Sequence, residues 1–279
     1  MKKRGGKRQK DMEYRVLGRK TAIASVKEKY QIDTCYGAVG KECLKNNIKV
    51  KQVSMPEVRA VGQQAFFSCT ALMQAEFPKV ISVGKEAFAN CSNLRRIAFP
   101  GSLQVLDRGA FSKCKRMDSV QFSQKSHVKE IPARTFAECK QMKSLILPEQ
   151  LETIGDEAFF KCEGLTGIFL PEHLKKIGRR SFYQCGLEEI TLPEELESIG
   201  DSAFLKCKHL KYVKIPQSVQ RIEKWAFHGC ARLEVLEIHH DPEVVEEWIT
   251  NKNCIIRCPK GSRMEQYAQE YGMTTEFID

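Results

Sequence analysis

The chain has 279 residues, 42% of them hydrophobic and 29% charged, with a formal net charge of +10. That length suits one globular domain or a repeat array, and no run of about 18 apolar residues offers a membrane-spanning helix. No apolar stretch of about 7–15 residues follows the first basic residues, so no secretory leader is read and a cytoplasmic location is expected.

Taken in chain order, residues 1–11 come first as a basic tail. Lys2, Lys3, Arg4, Lys7, Arg8 and Lys10 carry six of the ten net positive charges, so residues 11–279 keep only +4. With no apolar residue after Met1, the tail is expected to be disordered. Residues 1–10 are expected to bind polyanions weakly and without sequence preference. Residues 12–38 read as an N-terminal cap. Tyr14 to Leu17 and Ala22-Ile23, separated by Gly18-Arg19-Lys20, predict a short hairpin over the first rung.

From residue 39 to 240 one short pattern repeats. Cysteines recur at Cys69, Cys91, Cys114, Cys139, Cys162, Cys185, Cys207 and Cys230, at steps of 22, 23, 25, 23, 23, 22 and 23 residues. Periods of this size mark a solenoid. Cys162, Leu165, Ile168, Leu170, Pro171, Leu174, Ile177, Gly178, Ser181 and Phe182 give one copy. Ile-x-Leu has period two and predicts a short strand, which the proline ends because it has no N–H for a ladder. The glycine after the isoleucine is expected at a corner of positive φ. Ala-Phe-x-x-Cys predicts a single helical turn with phenylalanine and cysteine on one face. Stacked, such units bury one continuous core. In that core the cysteines act as small apolar fillers, and their parallel Cβ vectors disfavour disulfides.

The stretch LPEELESIGDSAFLKCKHL (192–210) resembles the signature of the BspA-type (Treponema pallidum-type) leucine-rich repeat family, I-P-x-x-V-x-x-I-G-x-x-A-F-x-x-C-x-x-L. The resemblance covers about residues 39–238. It implies a bacterial-type α/β repeat solenoid: a right-handed coil with one parallel sheet and about nine rungs, capped at both ends. It also implies the alternative of a cell-surface adhesin. Repeat four departs from the pattern: Ser123 replaces proline, Ser126–His127 adds two residues, and Ile131-Pro132 stands where Ile-Gly is expected. A local bulge or loop is predicted there.

Residues 241–279 read as a C-terminal cap, helical at Val244–Ile249 and Met264–Tyr271, and CPKGSRMEQYAQEYG (258–272) is similar to the closing segment of such proteins. The sequence holds no phosphate loop, no Gly-x-Ser-x-Gly elbow and no His-Glu-x-x-His, so no enzyme activity and no cofactor are expected. The 22–25-residue steps of the rung cysteines lack the paired short spacings of a zinc site. Cys254-x-x-x-Cys258, the only close pair apart from the looser Cys35/Cys43, is read as packing in the cap. His239-His240-Asp241, which could ligate a metal, is read as a polar turn before Pro242.

The expected function is a protein- or peptide-binding scaffold. In each strand the residue between the two apolar positions points outward, giving the column Ser54, Glu76, Ala98, Gln121, Ile146, Phe169, Thr191, Lys214 and Glu237. The other members are polar or small, whereas Ile146 and Phe169 are large and apolar, so they are expected to meet a partner or to be covered within the chain. With Ser144, Gly167, Thr191 and Tyr212 they form the candidate partner-binding set.

Overall fold

The computed structural model describes residues 15–29 and 36–278. The tail at 1–11 and the start of the N-terminal cap lie outside the described residues. The chain forms two compact units, residues 1–128 with 135–148 and residues 129–134 with 149–279.

Most turns of the chain carry a front strand, a two-residue back strand and a run of tight turns between them. In Gln74–Glu76 the middle residue, Ala75, is buried while both neighbours are exposed, as the period of two requires. In the first unit the back ladder runs through Val16–Leu17, Ala38–Val39, Ala60–Val61, Ser82–Val83 and Val105–Leu106. Its front ladder runs through Gln52–Ser54, Gln74–Glu76, Arg96–Phe99, Ser119–Phe122 and Ser144–Ile146. In the second unit the back ladder comprises Glu130–Ile131, Thr153–Ile154, Lys176–Ile177, Ser198–Ile199, Arg221–Ile222 and Val244–Val245. Its front ladder comprises Tyr212–Ile215, Val235–Ile238, Ile255–Pro259 and Thr275–Ile278. The described residues thus form four parallel sheets, where one was expected.

The described residues of the two units form about 11 parallel-strand solenoid turns, against the nine expected. The difference arises at the ends, where segments read as caps add strands to the ladders. Val16–Leu17 pairs in parallel with Ala38–Val39 as the edge strand of its ladder. The predicted hairpin is instead a helix, α1 (Arg19–Lys29), with Ala22 and Val26 buried one turn apart. Val244–Val245 is likewise a ladder strand and not helical. The second expected helix is present as α2 (Arg263–Glu270), and Ser262 caps it by accepting from the Glu265 N–H.

The expected helical turn at Ala-Phe-x-x-Cys is absent, so the α part of the predicted α/β class rests on α1 and α2 alone. Three overlapping turns replace it. The N–H groups of Ala65, Phe67 and Cys69 donate to carbonyls three residues back, whereas those of Gln64, Phe66 and Ser68 donate sideways to Lys85, Ala87 and Ala89 of the next turn at 2.7–2.9 Å. Positive φ at Gln64 (52°) and Ser68 (55°) turns these groups outward. A helix would spend every N–H inside itself. This run spends half of them on the neighbouring turn.

The corner glycines also act differently from the expectation. Gly62 and Gly178 are outside the set of positive-φ glycines. They are needed for close approach: a Cβ on Gly62 would lie 2.8 Å from the Lys41 nitrogen, and one on Gly178 2.8 Å from the Gly155 carbonyl carbon. Inward, the repeat's phenylalanines stack. Phe66–Phe88 and Phe88–Phe111 lie 4.9 and 5.0 Å apart in the first unit, and Phe182–Phe204 and Phe204–Phe227 lie 5.2 and 5.1 Å apart in the second. The column cysteines do more than fill space. Cys91 Sγ donates to the Phe66 carbonyl at 3.1 Å and Cys207 Sγ to that of Phe182 at 3.1 Å. In repeat four the extra residues close a local turn, with Ser126 N–H donating to the Ser123 carbonyl at 2.9 Å.

Candidate partner-binding face

Ser144 and Ile146 belong to the first unit, where Ile146 pairs in register with Gln121 and is 41% exposed. Gly167, Phe169, Thr191 and Tyr212 belong to the second, all exposed, with Phe169 at 95%. The alternation of the pattern puts the side chains of Ser144, Ile146, Phe169, Thr191 and Tyr212 outward. One column residue departs from that rule. Glu237 is buried, and its carboxylate accepts from Arg257 Nη1 at 3.0 Å and lies 2.6 Å from His239 Nε2. Burial would push the Glu237 carboxyl up, but hydrogen bonds from Arg257, His239 and Tyr212 outweigh it, so the group sits below the usual carboxylate range. Burial, with Glu237 beside it, raises the Tyr212 phenol.

The second unit holds a feature that the column alone does not reveal. Its front ladder begins only at Tyr212–Ile215; the two preceding turns, at residues 165–171 and 187–193, contribute no strand. Among the described residues a single backbone hydrogen bond joins those two turns, from Glu188 N–H to the Thr166 carbonyl at 2.9 Å, and none joins 188–192 to 211–215. Ile168 and Leu170 are accordingly only half-buried. A difference in chain length accompanies the opening at the second of these turns. Cys162 and Leu165 are separated by two residues, whereas Cys185 and Leu187 are separated by Gly186 alone. The shortened link is drawn so tightly against the previous turn that a Cβ on Gly186 would collide with the Glu163 carbonyl. That missing residue is visible in the sequence, but the opening of the ladder is not.

The opened ladder leaves a groove of about 750 Å³, lined by Thr166, Gly167, Glu189, Thr191, Tyr212 and Lys214 among others. A Cβ on Gly167 would meet nothing within 4 Å. Among the described residues Glu188, Glu189 and Glu194, which line the groove, have no ion-pair partner, while Lys214 lies 4.0 Å from Glu237.

His239, His240 and Asp241 are each engaged elsewhere. His239 faces Glu237, His240 Nε2 lies 2.7 Å from the Val219 carbonyl oxygen, and Asp241 accepts from the Arg263 N–H at the start of α2. The described residues contain no cluster suited to a metal ion. No helix among them is long and apolar enough to cross a membrane.

The model of the BspA type Leucine rich repeat region matches the chain in 6 copies, over residues 37–130 and 129–256. Among solved structures, the T. pallidum leucine-rich repeat protein TpLRR is 22% identical with a TM-score of 0.50, covering 86% of this chain and 89% of its own. A leucine-rich repeat protein from Bacteroides ovatus is 21% identical with a TM-score of 0.36, covering 89% of this chain and 83% of its own. The pneumococcal vaccine antigen PcpA is 16% identical with a TM-score of 0.42, covering 89% and 84%. At such identities the likeness to TpLRR shows the fold alone. No curated protein matches the chain, and no catalytic family is indicated.

Proposed function

We propose, from the premise that the chain belongs to the BspA-type leucine-rich repeat family, that it is a non-enzymatic scaffold binding a protein or peptide on its exposed strand face. Phe169 carries this reading. Burying a phenylalanine gains roughly 1.5–3 kcal/mol, yet this one is 95% exposed in a column that is otherwise mostly polar. An aromatic anchor amid near-neutral polar contacts is the usual energetic centre of an interface.

The test pairs a melting curve with a capture experiment. Phe169→Asp should leave stability within about 0.5 kcal/mol, as surface changes do, while removing a partner retained by the wild-type protein. A loss of several kcal/mol would mean that Phe169 packs within the chain. An unchanged melt with the partner retained would make Phe169 incidental.

A further inference from the structure

We infer that the open stretch of the second unit's front ladder takes an extended basic peptide segment, which pairs its backbone with Tyr212 and Lys214. The inference rests on the scaffold reading above and narrows it to one mode of binding.

The hydrogen-bond register identifies the open groups. In the closed ladder of the first unit, the N–H of Gln74 donates back to the Lys51 carbonyl and the carbonyl of Glu76 accepts from the Met55 N–H. Outward-column residues therefore turn their backbone groups towards the preceding turn. Tyr212 and Lys214 hold the same column positions, in register with Val235 and Glu237 of the following strand. No backbone hydrogen bond from residues 188–192 meets them. They form the edge of a four-stranded parallel sheet, and an edge with free donors and acceptors is a template for an added strand.

The chain does not close this edge itself. The link at Gly186 has no slack, since its backbone already lies against the Glu163 carbonyl. The groove of about 750 Å³ falls within the roughly 300–1,000 Å³ of ligand pockets. Charge then selects the occupant. Three exposed carboxylates, Glu188, Glu189 and Glu194, line the groove outside any ion pair among the described residues, against two ammonium groups, Lys211 and Lys214, of which Lys214 is partly offset by Glu237. Tyr212 (43% exposed) lines the groove and Phe169 (95%) stands on the turn of Gly167, so both offer aromatic faces to lysine or arginine stems. A strand alternating basic and apolar residues satisfies the open backbone, the carboxylates and the rings together.

The probe is an acetylated, amidated peptide with the sequence of residues 211–216, Lys-Tyr-Val-Lys-Ile-Pro, added to the full chain at about 1 mM, a concentration that detects even weak binding. Amide exchange at Tyr212 and Lys214 should slow at least tenfold. Methylating alternate backbone nitrogens of the peptide should weaken binding by about tenfold or more, equivalent to some 1.4 kcal/mol, and replacing its lysines by glutamate should abolish it. Glu189→Lys should weaken the lysine peptide. One alanine inserted between Gly186 and Leu187 should close the ladder and exclude the peptide; if that variant does not fold, the methylated peptide still decides. Absent binding, binding without protection at 212 and 214, equal binding of the methylated or glutamate peptide, or closure of the edge by a second copy at high protein concentration would each overturn the inference. Should the peptide fail while Phe169→Asp still releases a captured partner, the scaffold reading stands and only the strand-pairing mode falls.

Discussion

Ser181 stands where most turns place alanine, and its hydroxyl is buried without a hydrogen-bond partner. A hydroxyl removed from water and left unpaired costs about 1–3 kcal/mol, so Ser181→Ala should raise the unfolding free energy by about 1 kcal/mol, read from denaturant midpoints at unchanged slope. Glu237 is the opposite case, a buried acid held by Arg257 and His239. Its carboxyl is depressed in the folded state, so its contribution is fully present above the unfolded value of about 4.3. That contribution is lost as pH falls through the folded value. Glu237→Gln should cost about 1–3 kcal/mol at neutral pH, and the gap between the two melting curves should narrow below about pH 4.

At the scale of the repeated element, the cysteine column ties each turn to the one before it through S–H···O=C bonds such as Cys114 to Phe88 at 3.2 Å. The eleven described cysteines form no disulfide. Burial pushes the Cys69 and Cys230 thiols up to about 12 and that of Cys43 up to about 11. Alkylation of the native protein should therefore leave Cys91, Cys114 and Cys207 unmodified, with full labelling after unfolding; disulfide-linked peptides from neighbouring turns would refute this. The sign of the pH effect follows from the raised values. A thiol neutral in the fold supports stability fully below its unfolded value of about 8.5. That support is lost as pH climbs towards the folded value. Melting temperature should thus fall steeply above about pH 9, and less steeply when Cys69 and Cys230 are replaced by serine.

For the whole molecule, net charge is unevenly placed along the sequence. Six of the ten net positive charges sit in residues 2–10, and the described solenoid pairs many of its own lysines and arginines with carboxylates, as in Lys79–Glu57 and Lys129–Glu152. Deleting residues 1–10 should leave the thermal transition unchanged while removing salt-sensitive binding to heparin. Retention of that binding with the same salt slope would place it on the solenoid instead.

The period, the phenylalanine and cysteine columns, the outward position of Phe169 and helix α2 were legible in the sequence, because each follows from local spacing and the burial of one face. What the tertiary structure decided is which neighbour each backbone group meets. The glycine corners look like positive-φ positions until the turn beneath them is in place and leaves no room for a Cβ at Gly62. Val16–Leu17 and Val244–Val245 become strands because an adjacent turn offers a ladder, and Glu237 is buried because Arg257 arrives from the next strand to meet it. The open edge at Tyr212 has the same origin. One residue fewer between Cys185 and Leu187 is plain in the chain, but the opening that accompanies it exists only between turns, where hydrogen bonds join residues about 22 positions apart and local pattern carries no information about them.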